Sequence, residues 1–263
     1  MNDHPGLLRI ARDERGVARL GLDRPGRHNA LSAALIESLH AALDELAGDG
    51  AVRVVVLTGE GESFCAGADI EEMRRAADAA PGDNERDAAR LAALLHRLDT
   101  LPKPTLARVQ GNAFGGAVGL VAACDIAIAS ELAVFALSEV RLGVAPAMIS
   151  PYVLRAIGPR QARRYFLTGE RFPAAAAERI GLVHQSVPAS RLDAAVSEAV
   201  AELLLGAPGA QAECKQLVRH VAGHAHAPDA TLAAWIARLR AAPEGCEGLS
   251  AFLAKRPPSW RKD

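Results

Sequence analysis

The segment VRVVVLTG (52–59) runs through Val, Val, Val, Leu and Thr without a polar alternation. A strand with one face in water alternates apolar and polar residues, so an unbroken β-branched run needs cover on both faces. TLARVQG (105–111) and DIAIAS (125–130) read the same way, with AVFAL (133–137) as a fourth strand. Between these runs the spacing turns helical. Leu31, Leu35, Leu39, Leu43 and Leu46 form one stripe, with Asn29 or Ser32 placed to start the helix and Gly48-Asp49-Gly50 to end it. A second helix is expected over 87–100. Strands alternating with helices point to an α/β fold.

Ahead of this pattern, 7–13 and 16–22 read as a hairpin turning at Glu14-Arg15-Gly16. Asp69, Glu71 and Glu72 favour a helix start in ADIEEMRR, whereas the polar stretch 76–86, with Pro81-Gly82, reads as a mobile connection. From 146 onward the chain is mainly helical. A short helix at 173–179 and a last strand in GLVHQSV precede helices at 188–205, 208–224 and 228–241 and a tail from Pro243. Residues 1–200 are expected to form the core and 201–263 a helical region. Leu249, Phe252 and Leu253 put a stripe on the tail that must be buried on the chain itself or on a neighbouring subunit.

Charge and cysteine content exclude several classes. The formal net charge is −1, so no global field draws the protein to nucleic acid or an anionic membrane. Arg74, Arg75, Arg86 and Arg90 lie among more carboxylates than arginines and without aromatic residues, a poor footprint for RNA. Cys65, Cys124, Cys214 and Cys246 form no C-x-x-C pair, which argues against zinc or a disulfide framework. No apolar run approaches the ~20 residues of a membrane helix, and the N-terminus carries charges where a secretion signal would be apolar. A cytoplasmic enzyme is expected.

Two segments share a design in which a small-residue turn opens a helix: FCAGADIEEM (64–73) and NAFGGAVGL (112–120). Helix N-termini leave N–H groups unpaired and carry partial positive charge. Two such turns facing each other could hold a developing oxyanion. Neither segment is a P-loop, since no Gly-Lys-Ser/Thr follows, and G-x-S-x-G is absent.

These segments, with RPGRHNALS, FALSEVRLGVAPA and EGLSAFLAKR in the same order, resemble the enoyl-CoA hydratase/isomerase (crotonase) family over essentially the whole chain. The resemblance implies a crotonase (ClpP-like) spiral of ββα units with a helical C-terminal region that packs trimers, often paired into hexamers. It implies an acyl-CoA thioester as substrate and no further cofactor, metal, nucleic-acid or membrane partner. Ala66 and Gly116 are expected to supply the oxyanion N–H groups. Acyl-CoA contacts are expected from Arg27, His28, Ala68, Asp69, Ile70 and Gly119, with Lys255 reaching CoA phosphate on a neighbouring subunit.

Hydratases of the family commonly use two glutamates. The first falls here on Gly119; the second is Glu139. One carboxylate can take and return the same proton if apolar surroundings raise its pKa, which fits hydration first and Δ3,Δ2-enoyl-CoA isomerisation second. A non-catalytic acyl-CoA-binding role is the alternative of another class. The local wording most resembles bacterial methylglutaconyl-CoA hydratases of leucine and isoprenoid breakdown. On that reading the missing side chain at Gly119 removes a charge and makes room for a branched dicarboxylic acyl group. Two competing sites weigh little: Cys65 as a nucleophile has no visible histidine partner, and His220, His224 and His226 lack a further ligand for a metal.

Overall fold

A computed structural model describes residues 6–222 and 230–261. Strands β1 (Leu8–Arg12) and β2 (Val17–Leu22) form the expected antiparallel hairpin. Helix α1 (Ala33–Gly48) follows, with Ser32 as its N-cap accepting from Leu35 N–H. Strand β3 (Val54–Gly59) is buried at every position, as its β-branched run requires.

Next come α2 (Ile70–Asp78) and α3 (Pro81–Thr100). The stretch read as a mobile connection is thus the joint between two helices. Pro81 occupies the first turn of α3, where its missing N–H has no intrahelical acceptor to lose. Strand β4 (Thr105–Val109), the two-residue β5 (Ala113–Phe114), α4 (Gly116–Ala123), β6 (Ile126–Ser130) and β7 (Val134–Ala136) complete the central part. The remainder comprises α5 (Ser150–Thr168), β8 (Arg171–Pro173), α6 (Ala174–Arg179), β9 (Gln185–Val187), α7 (Leu192–Leu205), α8 (Pro208–Ala222), α9 (Ala230–Ala241) and α10 (Pro243–Leu253). Helix α5 bends at Gly158-Pro159, where Gly158 has φ +70°.

The main sheet has the order β1-β2-β3-β4-β6-β9, parallel throughout except at the β1–β2 edge. Its larger core lies against α1, α3 and α4, with Leu35, Leu39, Leu94, Leu98 and Leu120 packed together. A smaller core on the other face joins Val54, Val56, Leu106 and Ile128 to α7. A second, three-stranded sheet has the order β5-β7-β8. Among the described residues no helix is long and apolar enough to cross a membrane.

Candidate active site

The 64–69 segment threads between two neighbours. On one side Cys65 bridges Ala113 of β5, its N–H donating to the Asn112 carbonyl and its carbonyl accepting from Phe114 N–H. On the other lies the 28–31 reversal, where His28 and Asn29 both have positive φ. The buried Asn29 amide holds this reversal, accepting from Arg24 N–H and donating to the Glu60 and Ser63 carbonyls.

This threading decides which N–H groups are free. Ala66 N–H donates to the His28 carbonyl at 2.9 Å, so it cannot serve a substrate oxyanion. At Gly67 the chain adopts φ +87°, and a Cβ there would lie 2.5 Å from the Phe114 carbonyl oxygen. Beyond this turn the Gly67 carbonyl accepts from Leu31 N–H at 2.7 Å and Asp69 N–H donates to the Leu31 carbonyl at 3.1 Å. The residue between them, Ala68, is exposed and its N–H has no acceptor among the described residues. The expectation for Ala66 is therefore corrected: the available donor lies two residues later. Gly116 opens α4, so its N–H has no intrahelical acceptor, and Gly115 before it turns with φ +53°.

Ala68 and Gly116 line one cleft of about 370 Å³ together with Glu139. The remaining wall is mostly apolar, from Leu31, Ile36, Leu91, Pro146, Met148 and Ile149, with Glu72, Asp87 and Arg90 as its other charged members. Glu139 sits in a 3-10 turn (Ser138–Leu142) after β7. Its Oε2 is buried without a hydrogen-bond partner, and burial pushes its pKa above the ordinary carboxylate value. A carboxyl in that state suits proton transfer near neutral pH.

Gly119 does not face this cleft. It is buried, and a Cβ on it would lie 2.3 Å from Ile149 Cγ2 and 3.4 Å from Leu95 Cδ2. The expected room for a bulky acyl group is filled by Ile149, so Gly119 serves helix packing rather than substrate contact. Asp69 is also withdrawn from any ligand. It is 5 % exposed, pairs with Arg24 at 2.9 Å through Oδ2, and caps α2 by accepting from Glu71 N–H through Oδ1. Although burial opposes its charge, these hydrogen bonds and the Arg24 and Arg27 charges hold its carboxyl below the usual range. Breaking such a pair by removing one partner costs ~3–5 kcal/mol. Nothing in the sequence singles out Arg24, because its contact with Asp69 spans 45 residues and exists only in the folded chain.

Arg27 and Ile70 are exposed but do not line this cleft, and His28 contacts Ser63 Oγ through Nδ1 at 3.1 Å. Lys255 is exposed beyond the end of α10 and is not part of this cleft. Cys65 is fully buried, and desolvation pushes its thiol up to about 12, which keeps it protonated and rules out the nucleophile. Arg74, Arg75, Arg86 and Arg90 each pair with a carboxylate three residues earlier. Among the described residues no three His, Cys, Asp or Glu side chains gather as a metal site; His224 and His226 lie outside those residues.

The family model for enoyl-CoA hydratase/isomerase matches residues 12–263. The chain belongs to the enoyl-CoA hydratase/isomerase family. An enoyl-CoA hydratase from Shewanella pealeana superposes with a TM-score of 0.93 at 41% identity, covering 97% of this chain and 96% of that one. The chain is also 35% identical over 249 residues to a mevalonyl-coenzyme A hydratase of Aspergillus fumigatus, covering 93% of this chain and 91% of the relative. With a 2,3-dehydroadipyl-CoA hydratase of Escherichia coli it shares 32% over 262 residues, covering 97% and 98%. Membership in the enoyl-CoA hydratase/isomerase family accounts for the crotonase fold and for an acyl-CoA thioester as substrate.

Proposed function

We propose that this protein hydrates the 2,3-double bond of an enoyl-CoA, with Glu139 as the single acid/base and the N–H groups of Ala68 and Gly116 as the oxyanion hole. The observation that carries this reading is the Glu139 carboxyl, one oxygen buried and unpartnered, in the same cleft as two free backbone donors. Glu139 takes a proton from water as the oxygen bonds to the β-carbon. The electron pair of the double bond shifts to join the α-carbon to the carbonyl carbon, and the carbonyl pair moves onto the thioester oxygen, where the two N–H groups stabilise the enolate. The proton on Glu139 then passes to the α-carbon, which restores the carbonyl. Each preorganised donor of such a hole is worth ~3–4 kcal/mol in the transition state.

A branched dicarboxylic substrate such as 3-methylglutaconyl-CoA is the finer assignment. Its support is the sequence resemblance together with Arg90, the one cation among the described cleft residues, which could receive a distal carboxylate. The place of a second glutamate is filled by Ile149, so one carboxylate performs both proton transfers. That same observation favours Δ3,Δ2-isomerisation as the second reading, since a 1,3-proton shift needs only one base.

Glu139→Gln should lower kcat for crotonyl-CoA hydration by at least 10³-fold while leaving acyl-CoA binding intact, measured by loss of enoyl absorbance and by calorimetry. Turnover near that of the unaltered protein would remove Glu139 from the mechanism. A 3-enoyl-CoA converted faster than crotonyl-CoA would put isomerisation first.

A further inference from the structure

The oxyanion donor at Ala68 is one end of a chain of peptide groups that begins on the partly buried guanidinium of Arg24. Arg24 Nη1 donates to the Ala30 carbonyl at 2.5 Å, while its Nη2 is held by Asp69 Oδ2 at 2.9 Å. The Ala30 carbonyl belongs to the same planar peptide as Leu31 N–H, which donates to the Gly67 carbonyl at 2.7 Å. The Gly67 carbonyl in turn shares its peptide with Ala68 N–H. In a trans peptide the C=O and N–H point in opposite directions. Fixing the Gly67 carbonyl on Leu31 therefore aims the Ala68 N–H away from Leu31.

We infer that Arg24 is a positioning residue for the oxyanion hole, fixing and polarising the Ala68 N–H through the Ala30–Leu31 and Gly67–Ala68 peptides. The need for such a device follows from Gly67. Glycine at φ +87° is the residue least opposed to rotation of its peptide groups, and a flipped Gly67–Ala68 peptide would present a carbonyl oxygen to the developing oxyanion. Asp69 closes the loop. Its side chain orients the guanidinium, and its backbone N–H, donating to the Leu31 carbonyl, ties down the far side of Ala68. Aligned hydrogen bonds polarise one another, so the guanidinium charge at one end makes the N–H at the other a stronger donor. This assignment rests on the reading of Ala68 as an oxyanion donor.

The test pairs kinetics with a direct view of the hole. Butyryl-CoA labelled with carbon-13 at its carbonyl cannot be hydrated, and its resonance moves downfield when bound in a working oxyanion hole. Arg24→Met should lower kcat for crotonyl-CoA about 10- to 100-fold, a fraction of the loss of a whole donor, with KM changed less than three-fold. The bound carbonyl should lose most of its downfield shift. Arg24→Lys keeps the charge against Asp69 without the two-pronged reach and should fall between. The double variant Arg24→Met/Asp69→Asn removes both charges of the pair, so it folds where the single variant leaves Asp69 stranded, and it should show the same weakened polarisation. Undiminished kcat and carbonyl shift in the double variant would overturn the inference. A missing shift in the unaltered protein would instead overturn the oxyanion hole itself.

Discussion

Glu139 has one carboxyl oxygen buried with no hydrogen bond, a state that is costly whenever the group is ionised. Its folded pKa lies above the unfolded value because of that burial. The folded state therefore binds the proton more tightly, and ionisation opposes folding. Below the unfolded pKa the carboxyl is neutral in both states and costs nothing. As pH rises through the folded pKa the protein loses stability that a neutral amide would keep. Glu139→Gln should thus raise Tm at pH 8 and leave it nearly unchanged at pH 4, measured by calorimetry across that range. An equal Tm gain at both ends would mean that the amide stabilises by packing rather than by relieving charge. The same ionisation gives activity its acid limb: kcat/KM should fall with decreasing pH at a value above that of an ordinary glutamate.

Helix α3 forms one wall of the cleft. Leu91 Cδ2 lies 3.7 Å from where a Cβ on Gly116 would stand, so the helix passes directly beside the proposed second oxyanion donor. Arg90, one residue earlier, donates from Nη1 to Asp87 and lies 3.6 Å from Glu37 through Nε. Both carboxylates are more than half exposed, so water screens these pairs, and such contacts typically contribute only ~0–1 kcal/mol. On the proposed dicarboxylic reading, the guanidinium exchanges them for a substrate carboxylate. Arg90→Met should lower the kcat/KM ratio of 3-methylglutaconyl-CoA to crotonyl-CoA about 10- to 100-fold, the scale of a charged hydrogen bond. An unchanged ratio would end the role of Arg90 in selecting a dicarboxylic acyl group. Much at this scale was legible from periodicity, because the leucine stripe of α1 and the β-branched run of β3 each admit one kind of element. Two features were not. Pro81-Gly82 reads equally as a turn or as the first turn of a helix, and the packed chain chose the helix. Choosing between Ala66 and Ala68 turns on the positive φ at Gly67, which no local propensity encodes; glycine only permits it, and the close approach of Phe114 demands it.

At the scale of the whole molecule, the C-terminal helix is held firmly while leaving its apolar stripe uncovered. Arg53 at the foot of β3 donates to the Trp260 and Gly206 carbonyls, Trp260 Nε1 donates to the Leu205 carbonyl, and Glu247 pairs with Arg256. Only Ala251 of α10 is fully buried; Phe252 and Leu253 are about four-fifths exposed, and Leu249 about half. The sequence shows this stripe but not what covers it, since one chain's periodicity holds no information about a second. We propose that a neighbouring subunit covers it in a trimer or a hexamer, because a fixed helix with an exposed Phe-Leu face loses ~1.5–3 kcal/mol per large side chain left in water. Lys255 lies just past this face and outside its own chain's cleft, and the family resemblance implies that it reaches CoA phosphate on a neighbouring subunit. Phe252→Asp should convert the assembly to monomers by light scattering and raise KM for crotonyl-CoA about ten-fold, the scale of one lost charge-assisted contact. Lys255→Ala should reproduce the KM change with the assembly intact. A protein that is monomeric and fully active without alteration would refute both expectations together.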